Sequence, residues 1–231
     1  MDHPITLITG ANKGLGYETA RRLLAAGHTV LLGARDRVRG EAAAGELGAA
    51  FVPIDVTDEA GVGAAADHVR ERHGRLDVLI NNAGIVGPRG PLADTTAAEA
   101  LATFDTNVLG VVRVTHAFLP LLRESEHPRI VNVSSGTGTI SRMEEIGWNQ
   151  EVAPAIYSTS KAALSMLTLH YAHALPGILV NAVDPGYTAT ALNDFQGTQT
   201  IAQGTDLIVE LATLPPGGPT ATVRRHWTTP A

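Results

Sequence analysis

The chain has 231 residues, 44% of them hydrophobic and 17% charged, with a formal net charge of −6. That is enough apolar material for one sizeable core, and the acidic balance, with no long basic block, speaks against nucleic acid or an anionic membrane surface as the main partner. There is no cysteine, which excludes disulfides, thiolate catalysis and thiolate-ligated metals; with no signal-peptide pattern at Met1-Asp2-His3-Pro4 and no apolar run of about 18 residues, the expectation is a cytoplasmic chain without a membrane span.

Segments rich in Val, Ile and Leu at 5–9, 29–34, 50–56, 76–84, 129–135 and 178–186 read as six strands. Between them, patterns at about 15–27, 37–47, 58–74, 97–123, 157–174 and 205–213 read as helices. The alternation predicts an α/β fold in a single domain, a doubly wound parallel sheet with helices on both faces. Two irregular stretches, 136–156 and 187–204, follow strands. Ligands bind beyond the carboxyl ends of the strands in such a sheet, so these stretches are the expected substrate-site loops.

The first strand runs into Thr9-Gly10-Ala11-Asn12-Lys13-Gly14-Leu15-Gly16 and then a helix. Gly10, Gly14 and Gly16 thus fall where a backbone must approach a pyrophosphate at a helix N-terminus, which makes the fold Rossmann-type and a dinucleotide the expected ligand. The second strand ends in Ala34-Arg35-Asp36. Ala34 stands where an acidic residue would read an unphosphorylated ribose; Arg35, with Arg39 one helical turn on, is placed to clamp a 2′-phosphate, with Asn12 and Lys13 approaching from the glycine turn. The other reading of Arg35, Arg37 and Arg39 is a solvated charge cluster. Asp55 and Val56 end the third strand, and Asn81, Asn82, Ala83 and Gly84 end the fourth, small and hydrogen-bonding residues where an adenine and its ribose would lie; the other reading of the asparagines is that they brace a turn.

Asn107 falls inside a long apolar helical pattern, where an amide is unfavourable unless its hydrogen bonds are used. Ser134 and Ser135 end the fifth strand. Tyr157 and Lys161 then open a helix four residues apart, on one face. A tyrosine titrates near ~10, and bringing it to ~7 requires about 4 kcal/mol of differential stabilisation. A nearby ammonium supplies part of this, and a second positive charge such as an oxidised nicotinamide would help.

In this order, the glycine pattern, Asp55, the Asn81-Asn82-Ala83-Gly84 run, Asn107, the serine pair, Tyr157-x-x-x-Lys161 and Pro185-Gly186 resemble the short-chain dehydrogenase/reductase family, over about residues 5 to 214, with carbonyl reductases as the nearest kind. The resemblance implies that Ser135 hydrogen-bonds a substrate oxygen and that Tyr157 exchanges a proton with it. Lys161 would lower the tyrosine's pKa and hold the nicotinamide ribose, while Asn107 supports a water chain. It also implies that Gly10, Gly14 and Gly16 form the pyrophosphate turn, that Asn82 and Gly84 line the adenosine side, and that Thr188, after Pro185 and Gly186, holds the carboxamide. The expected cofactor is NADP(H), and the expected activity is reversible reduction of a ketone or aldehyde. The alternative is a catalytically silent NADP(H) sensor, which loss of the tyrosine or lysine would have favoured.

Several expectations concern the periphery. Met143, Ile146 and Trp148 in the first loop, and Tyr187, Leu192 and Phe195 in the second, are candidate walls of an apolar pocket for a hydrophobic carbonyl or alcohol substrate. The 136–156 segment, lacking a period of 2 or 3.6, is expected to be neither helix nor strand. It is long enough to cover the neighbouring helix and favour a monomer or homodimer over a tetramer. Adjacent Arg224 and Arg225 argue against a regular seventh strand. His170 and His173 lack a third ligand, so no metal is expected. The acceptor-like Asn132-Val133-Ser134 lies in a central strand and is read as structural.

Overall fold

The computed structural model describes residues 3–149 and 153–225. The chain alternates strands and helices as β1 (Ile5–Ile8), α1 (Gly14–Ala25), β2 (Thr29–Ala34), α2 (Arg37–Leu47), β3 (Ala50–Pro53), α3 (Glu59–His73) and β4 (Val78–Asn81). It continues through α4 (Ala97–Phe104), α5 (Gly110–Arg123), β5 (Arg129–Val133), α6 (Ile140–Glu145), α7 (Ala155–Ala174), β6 (Leu179–Asp184), α8 (Ile201–Ala212) and β7 (Thr222–Arg225). The seven strands form one sheet in the order β3-β2-β1-β4-β5-β6-β7, and every pairing is parallel. The order reverses between β1 and β4, which opens a crevice at the carboxyl ends of these strands.

Local signals explain where the helices begin and end. Asp36 caps α2 by accepting from the Arg39 N–H at 2.9 Å, and Gly48 ends it in the left-handed region at φ 73°. Asp58 caps α3, whose last turn carries Arg70, Arg72 and His73 against the negative end of the helix dipole. Reciprocal capping boxes start α4 at Thr96 and Glu99 and α8 at Thr200 and Gln203. The central strands are buried on both faces: Leu7, Val114 and Phe118 belong to one apolar core, and Ile8, Leu32 and Ile208 to the other. α8 is tied to α1 by Arg22, which donates to the Ala202 carbonyl at 3.0 Å, to Thr205 at 2.9 Å and to Asp206 at 2.6 Å. No helix among the described residues is long and apolar enough to cross a membrane.

Two elements correct the sequence reading. A regular seventh strand does form: Thr222–Arg225 runs parallel to β6, with Arg224 opposite Val183 and Arg225 opposite Asp184. The two arginines are tolerated because β7 is an edge strand, half-buried throughout, and Arg224 pairs with Glu210 on α8 at 2.9 Å. Within 136–156 the chain also makes a tight turn at Gly136–Gly138 and the six-residue helix α6. That helix is too short to show a period, and one buried side chain, Met143, holds it.

A polar ladder crosses the middle of the sheet. Asn132, fully buried on β5, accepts from Asn81 Nδ2 on β4 at 2.9 Å and donates to Thr168 Oγ1 on α7 at 2.9 Å. Its amide therefore fixes α7 against the strands, which fits the structural reading of this asparagine. Asn132→Ala should remove one hydrogen bond from each of two buried groups, leaving Thr168 Oγ1 with the Leu164 carbonyl at 2.8 Å and Asn81 Nδ2 with only the 3.4 Å contact to Thr115, and destabilise the protein by about 1–3 kcal/mol, read as a lower urea midpoint. A change under about 0.5 kcal/mol would show that the ladder is not a stabilising tie.

Candidate active site

The glycine turn is built by backbone conformations and close approaches that side chains would spoil. Gly10 and Gly14 are left-handed, at φ 63° and 58°, and a Cβ on Gly16 would lie 2.6 Å from Asn82 Nδ2 and 2.8 Å from Ala11 Cα. Asn82 is committed here, donating to the Thr9 carbonyl at 2.8 Å and the Gly10 carbonyl at 3.1 Å. Thr9 Oγ1 returns the tie by accepting from the N–H groups of Asn82 and Ala83, both at 3.0 Å. Asn82 Nδ2 thus braces the turn from the end of β4. The first turn of α1 has no side-chain cap at Lys13, so the N–H groups of Gly14, Leu15 and Gly16 lack intrahelical acceptors. Exposed Lys13 and half-buried Asn12 flank this positive helix end.

At the end of β2 the two arginines separate. Arg39 is held by Asp36, with Nε and Nη2 both 2.7 Å from Oδ2. Arg35 is exposed and acts on Asp55. Burial pushes the Asp55 carboxyl up, but the Thr57 N–H at 3.0 Å, the Thr57 hydroxyl at 2.7 Å and the Arg35 charge together hold it below the ordinary carboxylate range. Val56 packs against Gly110, where a Cβ would come within 2.8 Å of its side chain.

Beyond β5 the serine pair divides its labour. Ser134 is buried and faces the helix, donating to the Lys161 carbonyl at 3.0 Å and sharing a 2.8 Å hydrogen bond with Ser165. Ser135 caps the following turn, its Oγ accepting from the Thr137 N–H at 3.3 Å and lying 3.1 Å from Thr137 Oγ1, and its hydroxyl acts on Tyr157 in the sense that favours the phenolate. That turn packs tightly on α7: a Cβ on Gly138 would stand 2.6 Å from the Ala162 nitrogen.

Tyr157 and Lys161 lie in the first two turns of α7. Lys161 is 4% exposed, its Nζ donates to the Val133 carbonyl at 2.7 Å, and it sits 5.6 Å from the Tyr157 ring centroid. Burial lowers the Lys161 pKa to about 8. Burial, aided by the Asp184 carboxylate, raises Tyr157 to about 12 against the pull of Ser135. The enclosure thus favours the neutral phenol of Tyr157, and Lys161, aimed at a strand carbonyl, is not among the groups that make it more acidic.

Asn107 lies fully buried in a π-helical turn, Asp105–Leu109, that joins α4 to α5. Its Nδ2 donates to the Ile85 carbonyl at 2.9 Å and to Ser160 Oγ at 3.0 Å, and its Oδ1 accepts from the Ile85 N–H at 2.9 Å. Ser160 in turn donates to the Tyr157 carbonyl at 2.7 Å. A Cβ on Gly84 would lie 3.3 Å from Asn107 Oδ1 and 3.5 Å from Lys161 Nζ. The loop after β4, the π turn and α7 therefore meet at one point. Neither Ser160 nor the π turn had been singled out from the sequence; an asparagine inside an apolar helix was the available signal.

The third wall follows β6. Gly186 is left-handed at φ 73°, and its N–H is held by Asp184 at 3.0 Å. Thr188 is buried, donates to the Pro185 carbonyl at 3.0 Å, and lies against Gly204, whose absent side chain lets α8 close on Leu15. Of the six candidate pocket residues, Met143 is buried, Ile146 is half-buried, and Trp148, Tyr187, Leu192 and Phe195 are exposed. Residues 150–152 of the first loop lie outside the described residues. His170 and His173 are both exposed, and no group of three potential metal ligands occurs among the described residues.

Comparison with known proteins agrees with this fold. The sequence profile of the short chain dehydrogenase family matches residues 4–200. A short-chain dehydrogenase of Penicillium roqueforti is 40% identical over 225 residues, covering 91% of this chain and 88% of the relative. The (−)-isopiperitenone reductase of Mentha piperita is 30% identical, covering 92% of this chain and 93% of the relative. The solved structure of salutaridine reductase from Papaver somniferum superposes with a TM-score of 0.84 at 27% identity, covering 96% of this chain and 99% of that one. With the glycine turn, the parallel seven-stranded sheet and these matches together, the chain belongs to the short-chain dehydrogenase family of nicotinamide-dependent oxidoreductases.

Proposed function

We propose that the protein is an NADPH-dependent reductase of bulky hydrophobic ketones, with Asn107, Ser135, Tyr157 and Lys161 as its catalytic set. The observation that carries this reading is the convergence of Ser135, Tyr157 and Lys161 beside Gly84 and Asn107, at the crevice where the glycine turn presents its free N–H groups. The residues fit a dinucleotide. The α1 N-terminus offers unpaired donors to a pyrophosphate, and Gly16 leaves room for close backbone approach. Arg35, which makes no ion pair among the described residues, offers its guanidinium to a 2′-phosphate, with Lys13 nearby.

When bound, reduced nicotinamide supplies the hydride that reaches the carbonyl carbon. Tyr157 Oη gives its proton to the carbonyl oxygen as the new C–H bond forms, and Ser135 Oγ donates a hydrogen bond to that oxygen while charge develops on it. A phenol held near 12 is fully protonated for this task. Lys161 would hold the nicotinamide ribose and stabilise the phenolate once the proton has left. Asn107 fixes the loop at Ile85 against α7 and so keeps Gly84 clear of the lysine. The relatives named as reductases of isopiperitenone and salutaridine, together with the exposed Trp148, Tyr187, Leu192 and Phe195, support a hydrophobic substrate.

Cofactor choice tests the arginine. NADPH should bind more tightly than NADH, and Arg35→Ala should weaken NADPH about tenfold to a hundredfold while changing NADH little, because a charge-assisted phosphate contact contributes roughly 1.5–3 kcal/mol. Arg39→Ala should do less, since Asp36 already holds that side chain. Equal affinities for the two cofactors in the unmutated protein would refute the assignment.

Turnover tests the acid. In a screen of NADPH oxidation against ketones, aldehydes, diketones and quinones, Tyr157→Phe should lose most activity while binding NADPH almost normally. Because burial lowers the Lys161 pKa to about 8, its charge is present below that pH and lost above it. NADPH affinity should therefore fall as pH rises from 7 to 9, and Lys161→Met should flatten the dependence. Tight NADPH binding with no turnover across the panel would point instead to a cofactor sensor.

A further inference from the structure

We propose that Arg89 is a specificity-determining residue: it straps the loop leaving β4 to the loop leaving β6, and so sets how wide a substrate the crevice admits. The proposal rests on the reductase reading of the same site. β4 and β6 flank β5 in the sheet, and β5 leads directly into Ser134 and Ser135. A link between the loops on either side therefore spans the strand that delivers the serine to the substrate oxygen.

Each loop is fixed at its root. Ile85 is clasped by Asn107 through both its N–H and its carbonyl, at 2.9 Å each. Thr190 rests on the glycine turn, 3.8 Å from where a Gly14 Cβ would be. Between these roots Arg89 reaches across, with Nη2 donating to the Leu192 carbonyl at 2.9 Å and lying 3.9 Å from Asp194 Oδ2. Because the closer contact is to a backbone oxygen, the strap fixes the path of the chain whatever side chain stands at 192.

The receiving turn is under strain. Asp194 and Phe195 are consecutive left-handed residues, at φ 51° and 60°, a conformation that persists in non-glycine residues only where surrounding contacts impose it. Within the turn, Asn193 donates to the Thr188 carbonyl at 3.0 Å and the Phe195 N–H donates to Thr190 at 2.9 Å. Those bonds stay on one side of the crevice; Arg89 holds the turn from the other. Leu192 and Phe195 are 41% and 65% exposed, and Leu92 on the facing loop is 51% exposed. An apolar ring system entering between the loops would cover them, and the strap determines how far apart they stand.

The test compares wild type, Arg89→Ala and Asp194→Ala in NADPH-driven reduction of a bulky cyclic ketone and a small linear ketone, with chymotrypsin cleavage after Leu192 and Phe195 followed in parallel. Arg89→Ala should change the ratio of kcat/KM for the two ketones at least tenfold and speed cleavage at the turn severalfold, with the Kd for NADPH within about twofold of wild type. Asp194→Ala should have the smaller effect, because an exposed ion pair at that distance is weak. An unchanged ketone ratio together with wild-type cleavage rates would overturn the proposal. If the wild type reduces no ketone, the reductase reading fails by itself, and equal cleavage rates in the three proteins would still reject the strap.

Discussion

A buried ammonium is the constraint on which the rest of the site depends. Lys161 is almost fully enclosed and its charge is answered by a strand carbonyl, Val133. The reverse contact, from the Ser134 hydroxyl to the Lys161 carbonyl, closes a two-way clasp between β5 and the first turns of α7. An unpaired buried charge is costly enough to change its ionisation instead, and the lowered pKa of Lys161 records that tension. The clasp also decides which serine serves the crevice: Ser134 is used up in holding the helix, which leaves Ser135 to face the phenol. Gly138 then follows as a necessity, since a side chain there would meet the backbone of α7, including that of Lys161 itself.

Tyr157 depends on the same enclosure in the opposite sense. Burial that weakens the ammonium strengthens the O–H of the phenol, so the enclosure by itself favours a proton donor over a ready base. That state suits reduction. The oxidative direction needs a phenolate, and the positive charge that would favour it arrives with an oxidised nicotinamide.

Much of this was legible in the sequence because it rests on local pattern. The apolar runs placed six strands correctly, and the spacing from Tyr157 to Lys161 put both on one helical face. What was not legible depends on partners distant in the chain. Arg35 and Arg39 look equivalent in sequence, yet the capping geometry of Asp36 captures one and leaves the other. Asn82 reads in sequence either as a residue lining the adenosine side or as the brace of a turn, and it is the distant Thr9 and Gly10 carbonyls that show its Nδ2 bracing the glycine turn. Arg224 and Arg225 argued against a strand on the assumption of a buried one; an edge position with Glu210 beside it removes the objection. The link from Arg89 to Leu192 spans loops that follow different strands, and no periodicity announces it.

The central claim is that this enclosure serves hydride transfer to a ketone, with Tyr157 as acid. It is tested most directly with NADPH deuterated at both C4 positions and a hydrophobic cyclic ketone, by mass analysis of the alcohol. Transfer of one deuterium to the carbinol carbon, abolished by Tyr157→Phe, is the expected result. Alcohol free of deuterium, or an undiminished yield of labelled alcohol from the Phe variant, would contradict it.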